Sequence, residues 1–279
     1  MPAAPAVGAS AAAIARFWSD CQFAAVARAG AYDLHHVSLP NLSNEGFEAL
    51  ARAVEPHYLE PTKFRSAAGG DVLARLLEAV LPDRANTSTA KKDRAGDLGE
   101  LLGIEWLRRI LGAGWEVCGT LRWKESIRPK RGEDIIAVQW SVAPVGLMKG
   151  EAKAGATIGG QRVAEARERL NLDGGWPAPF TVNFLATRLE MAGRDAEALR
   201  LFKERFENTP RPNDPGCRHF IFLIAATDPA AFLTSHGAPV TGTVHGQLAA
   251  VLVCPHYETL RDSLHGRAIE LARARAAAP

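Results

Sequence analysis

Two apolar runs separated by a short turn constrain the fold of this 279-residue chain more than any other feature of its sequence. The first run covers residues 134–142, the second covers residues 145–154, and Pro144 lies between them. Proline is common in turns and is excluded from the interior of a paired strand, so the two runs predict an antiparallel β-hairpin. A hairpin of this kind needs helices or further strands to cover its faces.

Helices and strands are predicted on both sides of the hairpin. Before it, residues 97–111 have apolar side chains at helical spacing, and residues 115–121 have the pattern of a strand. After it, a glycine-rich turn at residues 155–160 leads into a helix over residues 161–170. The later segments predict helices over residues 181–191 and 195–206 and from Tyr257 onward, and strands over residues 220–226 and 247–254. We therefore expect an α/β or α+β fold with a mixed central sheet flanked by helices.

The N-terminal third of the chain has a different pattern. Residues 1–92 predict a mostly helical region, and its clearest helix covers residues 71–80. Residues 82–92 are polar and turn-forming, which is typical of a linker. We therefore divide the chain into an N-terminal, mostly helical region of residues 1–92 and a second domain of residues 93–279.

Charge and cysteine content exclude several functional classes. Thirty-three Lys and Arg against 31 Asp and Glu give a formal net charge of +2, so any contact with nucleic acid must come from local patches. The four cysteines lack the CxxC spacing of a zinc site or a thiol redox pair. No stretch approaches the roughly 20 apolar residues that span a bilayer. We expect a cytoplasmic protein with free thiols and no membrane association.

The segment Lys149-Gly-Glu-Ala-Lys153 is the most informative for chemistry. Residues two apart on a strand point to the same face, so Glu151 and Lys153 are expected side by side. A carboxylate in such a pair can bind a divalent cation, while the ammonium group orients an attacking water or neutralises a phosphate. The alternative for this pair alone is a solvated surface ion pair.

Two further acids are candidates to complete a metal site with Glu151. Asp134 stands at the start of the first hairpin strand, and Mg²⁺ commonly takes one or two carboxylates together with water and phosphate oxygens. Glu100 shares a helix face with Ile104 and Leu107, and a carboxylate on a core-facing side needs a partner such as a cation. The alternatives are a strand-start turn residue for Asp134 and an acid stabilised by the helix dipole for Glu100.

Polar side chains around the hairpin are candidates for contacts with a phosphate backbone, with a solvated loop as the alternative. Four of them are retained as candidate nucleic-acid contacts: Lys124, Lys130, Arg131 and Gln161. Arg167 and Arg169 follow on the helix that Gln161 begins. Both arginines could face the same groove, but Glu165 and Glu168 at helical spacing favour ordinary intrahelical ion pairs for them.

The order of these motifs resembles the core of the PD-(D/E)XK nuclease superfamily, in which a helix, three strands, a helix and a strand follow one another. The literal Pro-Asp dipeptide is absent and Glu133-Asp134 stands in its place. Either acid is a candidate ligand; neighbouring strand residues point to opposite faces, and we prefer Asp134. Three phrases also resemble the HamA-type nuclease subunit of Hachiman anti-phage defence systems, over roughly residues 93–275: Gly99-Glu-Leu-Leu-Gly103, Arg131-Gly-Glu-Asp-Ile-Ile and Lys149-Gly-Glu-Ala-Lys153.

The superfamily resemblance implies a DNA endonuclease that hydrolyses phosphodiester bonds with Mg²⁺ or Mn²⁺. It implies Asp134 and Glu151 as metal ligands, Glu100 completing the metal shell, and Lys153 at the attacking water or the scissile phosphate. The HamA resemblance implies a helicase partner, HamB. Two alternatives stay open: a catalytically silent scaffold or sensor that binds DNA or a partner, and a Mg²⁺ enzyme acting on another phosphoester such as a nucleotide.

Overall fold

A computed structural model describes residues 14–59, 69–112, 114–119, 133–207, 216–236 and 244–275. In these residues one mixed sheet is flanked by helices, which confirms the predicted fold class. No helix in these ranges is both long and apolar enough to cross a membrane. All four cysteines are free thiols, as their spacing predicts.

The sheet has eight strands, and the longest of them lie at its centre. Their order is β1-β3-β8-β7-β6-β5-β4, and β2 pairs with β3 beside this path. The strands β6, β7, β8 and β3 are parallel to one another. The strand β5 is antiparallel to both of its neighbours, β4 and β6. Central parallel strands are covered on both faces, which explains their continuous apolar runs. The strands are β1 (Gln22–Phe23), β2 (Ala27–Ala29), β3 (Tyr32–Ser38), β4 (Trp115–Gly119), β5 (Ile135–Gln139), β6 (Gly146–Gly155), β7 (Cys217–Ala225) and β8 (Val244–Val253).

Helices cover both faces of the sheet. They are α1 (Asn44–Tyr58), α2 (Gly70–Val80), α3 (Ser88–Ile110), α4 (Gly160–Asn171), α5 (Pro179–Met191), α6 (Asp195–Phe202), α7 (Ala230–His236) and α8 (Tyr257–Arg273). On one face, α3 and the helices α1, α2 and α8 enclose the largest core, which includes Leu98 and Phe222. On the other face, α4 and α7 pack over Ile221 and Leu223, while α5 and α6 pack over Leu147. The sheet therefore separates α3 from α4.

The hairpin that the sequence predicts is present as β5 and β6. These strands are antiparallel, and their register pairs Ile135 with Gly150 and Gln139 with Gly146. Pro144 lies in the turn between them. This register determines which side chains meet at the open end of the hairpin.

The helix α3 begins nine residues before its predicted start at residue 97. Thr87 caps it, because its hydroxyl oxygen accepts a hydrogen bond from the Ala90 backbone N–H at 3.2 Å. The prediction of a linker over residues 82–92 is therefore wrong for its second half. The first turns of α3 are mostly polar, so the apolar periodicity that marked the rest of the helix does not reach them.

Residues 22–38 form β1, β2 and β3, in a region where the sequence predicted mostly helices. In β3 the buried residues Tyr32 and Leu34 alternate with exposed ones, but His35 and His36 interrupt this alternation. The strand pattern is therefore short and was missed. Because β3 pairs with β8, hydrogen bonds cross the predicted division between residues 92 and 93.

Candidate active site

Asp134 and Glu151 meet at the open end of the β5–β6 hairpin. Ile135, the first residue of β5, pairs with Gly150, and Asp134 and Glu151 are the residues directly beside this pair on the two segments. Asp134 Oδ2 accepts a hydrogen bond from the Ala152 backbone N–H at 2.9 Å, which holds the aspartate against β6. The negative charge of Asp134 acts on Glu151, so the two carboxylates lie close together.

Lys153 completes a group of three charged side chains, of which Glu151 is buried and Asp134 and Lys153 are partly buried. Its Nζ donates a hydrogen bond to Glu151 Oε1 at 2.5 Å. The side chain of Glu151 is 3% exposed and that of Lys153 is 14% exposed. A solvated surface pair, which was the alternative interpretation, would be far more accessible than this.

The pKa of Glu151 is raised to about 8, first because burial removes water from the carboxylate and then because the charge of Asp134 repels its own. Lys153 and Arg169 act in the opposite direction but do not cancel these effects. Two close carboxylates, one of them buried, are an oxygen donor set that a hard divalent cation neutralises. The chemistry of the site therefore fits Mg²⁺ or Mn²⁺.

Glu100 is buried on α3, on the other face of the sheet. Gly99, next to it, packs so closely on β6 that a methyl group added there would lie 3.2 Å from Ala154 Cβ. Ala154 alternates along β6 with Lys153, whose side chain points toward α4. The charge of Glu100 contributes, after burial, to raising the pKa of Tyr58, so Glu100 lies near that ring.

The structure therefore joins Asp134, Glu151 and Lys153 but does not add Glu100 to them as a third acid. Among the described residues, no three or more His, Cys, Asp or Glu side chains are gathered closely enough to hold a metal ion. The role of Glu100 in the metal shell stays a prediction.

Glu133, the other candidate ligand, is held by a buried lysine. Lys149 Nζ lies 3.3 Å from Glu133 Oε1, with both side chains 3% exposed, and the Ala178 backbone N–H donates to the same oxygen at 2.9 Å. Lys149 shares a face of β6 with Glu151, so the prediction that Glu133 and Asp134 point to opposite faces is wrong. Glu133 precedes β5, and the alternation of a strand does not extend to it. Its contacts favour Asp134 as the ligand.

Three of the candidate nucleic-acid contacts, Lys124, Lys130 and Arg131, lie outside the residues that the structure describes. Gln161 is exposed at the start of α4, and its Nε2 donates a hydrogen bond to Glu165 at 3.1 Å. This contact is local to the helix. Whether these four residues bind nucleic acid stays a prediction.

Arg169 is a site residue that the sequence analysis missed. Its Nε lies 3.7 Å from Glu151 Oε1. The interpretation of Arg167 and Arg169 as intrahelical ion pairs is wrong, because Arg167 is buried against Gln247 while Arg169 faces Glu151. The spacing of charges along α4 carried no signal of these contacts, since both depend on how α4 sits on the sheet.

Comparison with known proteins identifies the family to which the chain belongs. No curated protein sequence matches the chain. A family model named HamA matches residues 17–239. This match starts well before residue 93, where the resemblance drawn from motifs began, so it includes most of the N-terminal region. Because it covers most of the chain, the protein belongs to the HamA family, which supports a role in a Hachiman-type defence system.

Proposed function

We propose that the protein is a metal-dependent DNA endonuclease. Asp134 and Glu151 would hold Mg²⁺ or Mn²⁺, and Lys153 would lie beside the scissile phosphate. The observation that carries the proposal is the group of two carboxylates and one ammonium, centred on the buried Glu151, at the open end of the paired strands β5 and β6. The HamA match supports it by placing the chain in a defence family.

Each side chain has a separate task in this proposal. The bound cation would polarise the phosphodiester and lower the pKa of an attacking water. Asp134, fixed by the Ala152 N–H, and Glu151 would orient that cation. Lys153 carries the positive charge that stabilises the extra negative charge of the phosphate in the transition state, and burial strengthens this interaction. Asp134 and Glu151 alone would suffice as protein ligands, because Mg²⁺ commonly takes one or two carboxylates with water and phosphate oxygens, and the role of Glu100 in the metal shell stays a prediction.

Cleavage of plasmid DNA by the full chain tests the proposal. We expect cleavage with Mg²⁺ and none with EDTA, and we expect Glu151→Ala and Lys153→Ala each to abolish it while the circular dichroism spectrum stays that of the wild type. Arg52→Ala is a matched control, because Arg52 is an exposed residue of α1 on the other side of the sheet. Retained cleavage in both site variants would remove the mechanism.

Two results would favour the alternatives. Binding of DNA without cleavage, with any of the metals, would indicate a catalytically silent scaffold or sensor; the lack of a third acid near the pair in the described residues is the observation on its side. Faster hydrolysis of free nucleotides or RNA than of DNA would indicate a different phosphoester substrate.

We also propose that the nuclease works with a helicase partner of the HamB type in the cytoplasm, as its family suggests. Cleavage by a mixture of the two proteins should then depend on ATP hydrolysis by the helicase. An unchanged cleavage rate and the absence of a complex in size-exclusion chromatography would contradict the partnership.

A further inference from the structure

We propose that Arg169 is a positioning residue that binds the phosphate of the substrate next to Glu151 and Lys153. This inference rests on the proposed nuclease function. Arg169 Nε lies 3.7 Å from Glu151 Oε1, which is within ion-pair range but longer than a hydrogen bond. Its side chain is 56% exposed. The guanidinium group therefore borders the buried site and is open to solvent, from which a substrate arrives.

Three arginines lie on α4, and the other two have structural tasks. Arg162 Nη1 donates to the Ala154 carbonyl oxygen at 3.0 Å. Arg167 is buried and donates to Gln247 Oε1 at 2.6 Å. Both hold the helix on the sheet. Arg169 is the exposed member of the three and the one whose charge reaches Glu151.

The backbone that follows α4, shortly after Arg169, is held against the central strands by two hydrogen bonds. Lys149 Nζ donates to the Leu172 carbonyl oxygen at 2.9 Å, and His219 Nε2 donates to the Gly175 carbonyl oxygen at 2.8 Å. Both donors are buried residues of the central strands. The end of α4 is therefore attached to the same strand that carries Glu151, and Arg169 needs no large movement to meet a ligand bound there.

Charge and shape indicate a phosphate as that ligand. Asp134 and Glu151 carry two negative charges once a bound cation keeps both ionised, and Lys153 at 2.5 Å is already the close cationic partner of Glu151. When a divalent cation is bound, it neutralises the two carboxylates. The positive charge of Arg169 is then no longer balanced by these carboxylates and can attract an anion. The planar fork of a guanidinium group matches phosphate oxygens, so a phosphodiester is the anion that fits this place.

Equilibrium binding of a short DNA duplex tests the inference, with Ca²⁺ in place of Mg²⁺ so that binding is measured without cleavage. We expect Arg169→Ala to weaken binding about tenfold at moderate salt, the effect of losing one charged hydrogen bond. The slope of log K against log salt should fall by about one, the signature of a lost phosphate contact. Arg169→Lys should recover the slope, and the melting temperature should stay unchanged in both variants.

Cleavage by the same proteins with Mg²⁺ completes the experiment, with Arg52→Ala as the control; that side chain is 62% exposed. Arg169→Ala should raise KM. If the wild type cuts DNA and Arg169→Ala keeps both its KM and its salt slope, the inference is overturned and the nuclease proposal stands. If the wild type neither binds nor cuts DNA, both are overturned.

Discussion

Glu151 is a carboxylate whose surroundings oppose its ionisation. Burial and the charge of Asp134 give it a pKa of about 8, above its ordinary value of 4.5. An acid with a higher pKa in the folded state binds its proton more tightly there, so this group favours folding at low pH. The favourable contribution is fully present below about pH 4.5 and is lost as the pH rises through about 8. At neutral pH and without a cation, Glu151 therefore contributes less to the stability of the fold than it does at low pH.

We predict that Glu151→Gln raises the melting temperature in metal-free buffer at pH 8, because the neutral amide needs no counter-charge. The rise should shrink toward pH 4.5. Mg²⁺ should stabilise the wild type and leave this variant unaffected, since ligand binding to the folded state alone raises its stability. Scanning fluorimetry with EDTA or Mg²⁺ over this pH range measures both effects.

Glu165→Gln is the control for this experiment, since Glu165 is an exposed residue of α4. Its melting temperature should follow that of the wild type at every pH, with and without Mg²⁺. If the melting temperatures of the wild type and Glu151→Gln depend on pH in the same way, the raised pKa of Glu151 and its role as a metal ligand are contradicted.

The meeting of Asp134, Glu151 and Lys153 was predictable because it depends on two local rules, strand alternation and the register of a short hairpin. Arg169 and the Glu133–Lys149 pair were not predictable. Their contacts depend on where α4 and the segment before β5 rest on the sheet, and tertiary packing sets this without leaving a periodic trace in the sequence.

At the scale of elements, α3 lies unusually close to the sheet through its glycines. A methyl group added at Gly103 would lie 2.7 Å from Ile135 Cδ1 and 3.2 Å from Phe222 Cβ. Gly96, two turns earlier on the same helix, has no atom within 4 Å of such a group. Close approach therefore requires glycine at the first position and not at the second.

We predict opposite effects for substitutions at these two glycines. Gly103→Val should lower the free energy of unfolding by about 1–3 kcal/mol, because the added side chain displaces α3 from the sheet. Gly96→Ala should raise it by about 0.5–1 kcal/mol through better helix propensity. Urea denaturation measures both, and a stabilising effect of Gly103→Val would contradict the close packing.

The elements differed in how well the sequence predicted them. Residues 220–225 of β7 and 248–253 of β8 are continuous apolar runs, so length and composition were sufficient to predict these strands, while their first residues were missed. The strand β3 was missed because its two histidines interrupt the alternation, and its place in the sheet depends on β8, which is remote in the chain.

At the scale of the whole molecule, the N-terminal region of residues 1–92 makes strand-pairing, core and side-chain contacts with residues 93–279. β3 pairs with β8 over residues 33–38. The helices α1 and α2 share one core with α8, which buries Leu260 and Leu264. Arg273 Nη2 on α8 also donates to Glu78 Oε1 of α2 at 2.9 Å. These contacts indicate that the two predicted domains depend on each other for stability.

We predict that the full chain unfolds in a single cooperative transition and that a fragment of residues 93–279 does not fold alone. Without β3, one edge of β8 is unpaired, and without α1 and α2 the apolar face of α8 is exposed. Calorimetry of the full chain and circular dichroism of the fragment measure this. Two separate transitions, or a cooperatively folded fragment, would instead support independent domains.

The position of β8 also has a consequence for synthesis on the ribosome. Among the described strands this one comes last in sequence order, yet it lies between β3 and β7, near the middle of the sheet. While the nascent polypeptide still lacks β8, the early strand β3 and the later strand β7 have no common neighbour to join them. Assembly of the sheet is therefore completed only after residues up to Val253 have emerged from the exit tunnel.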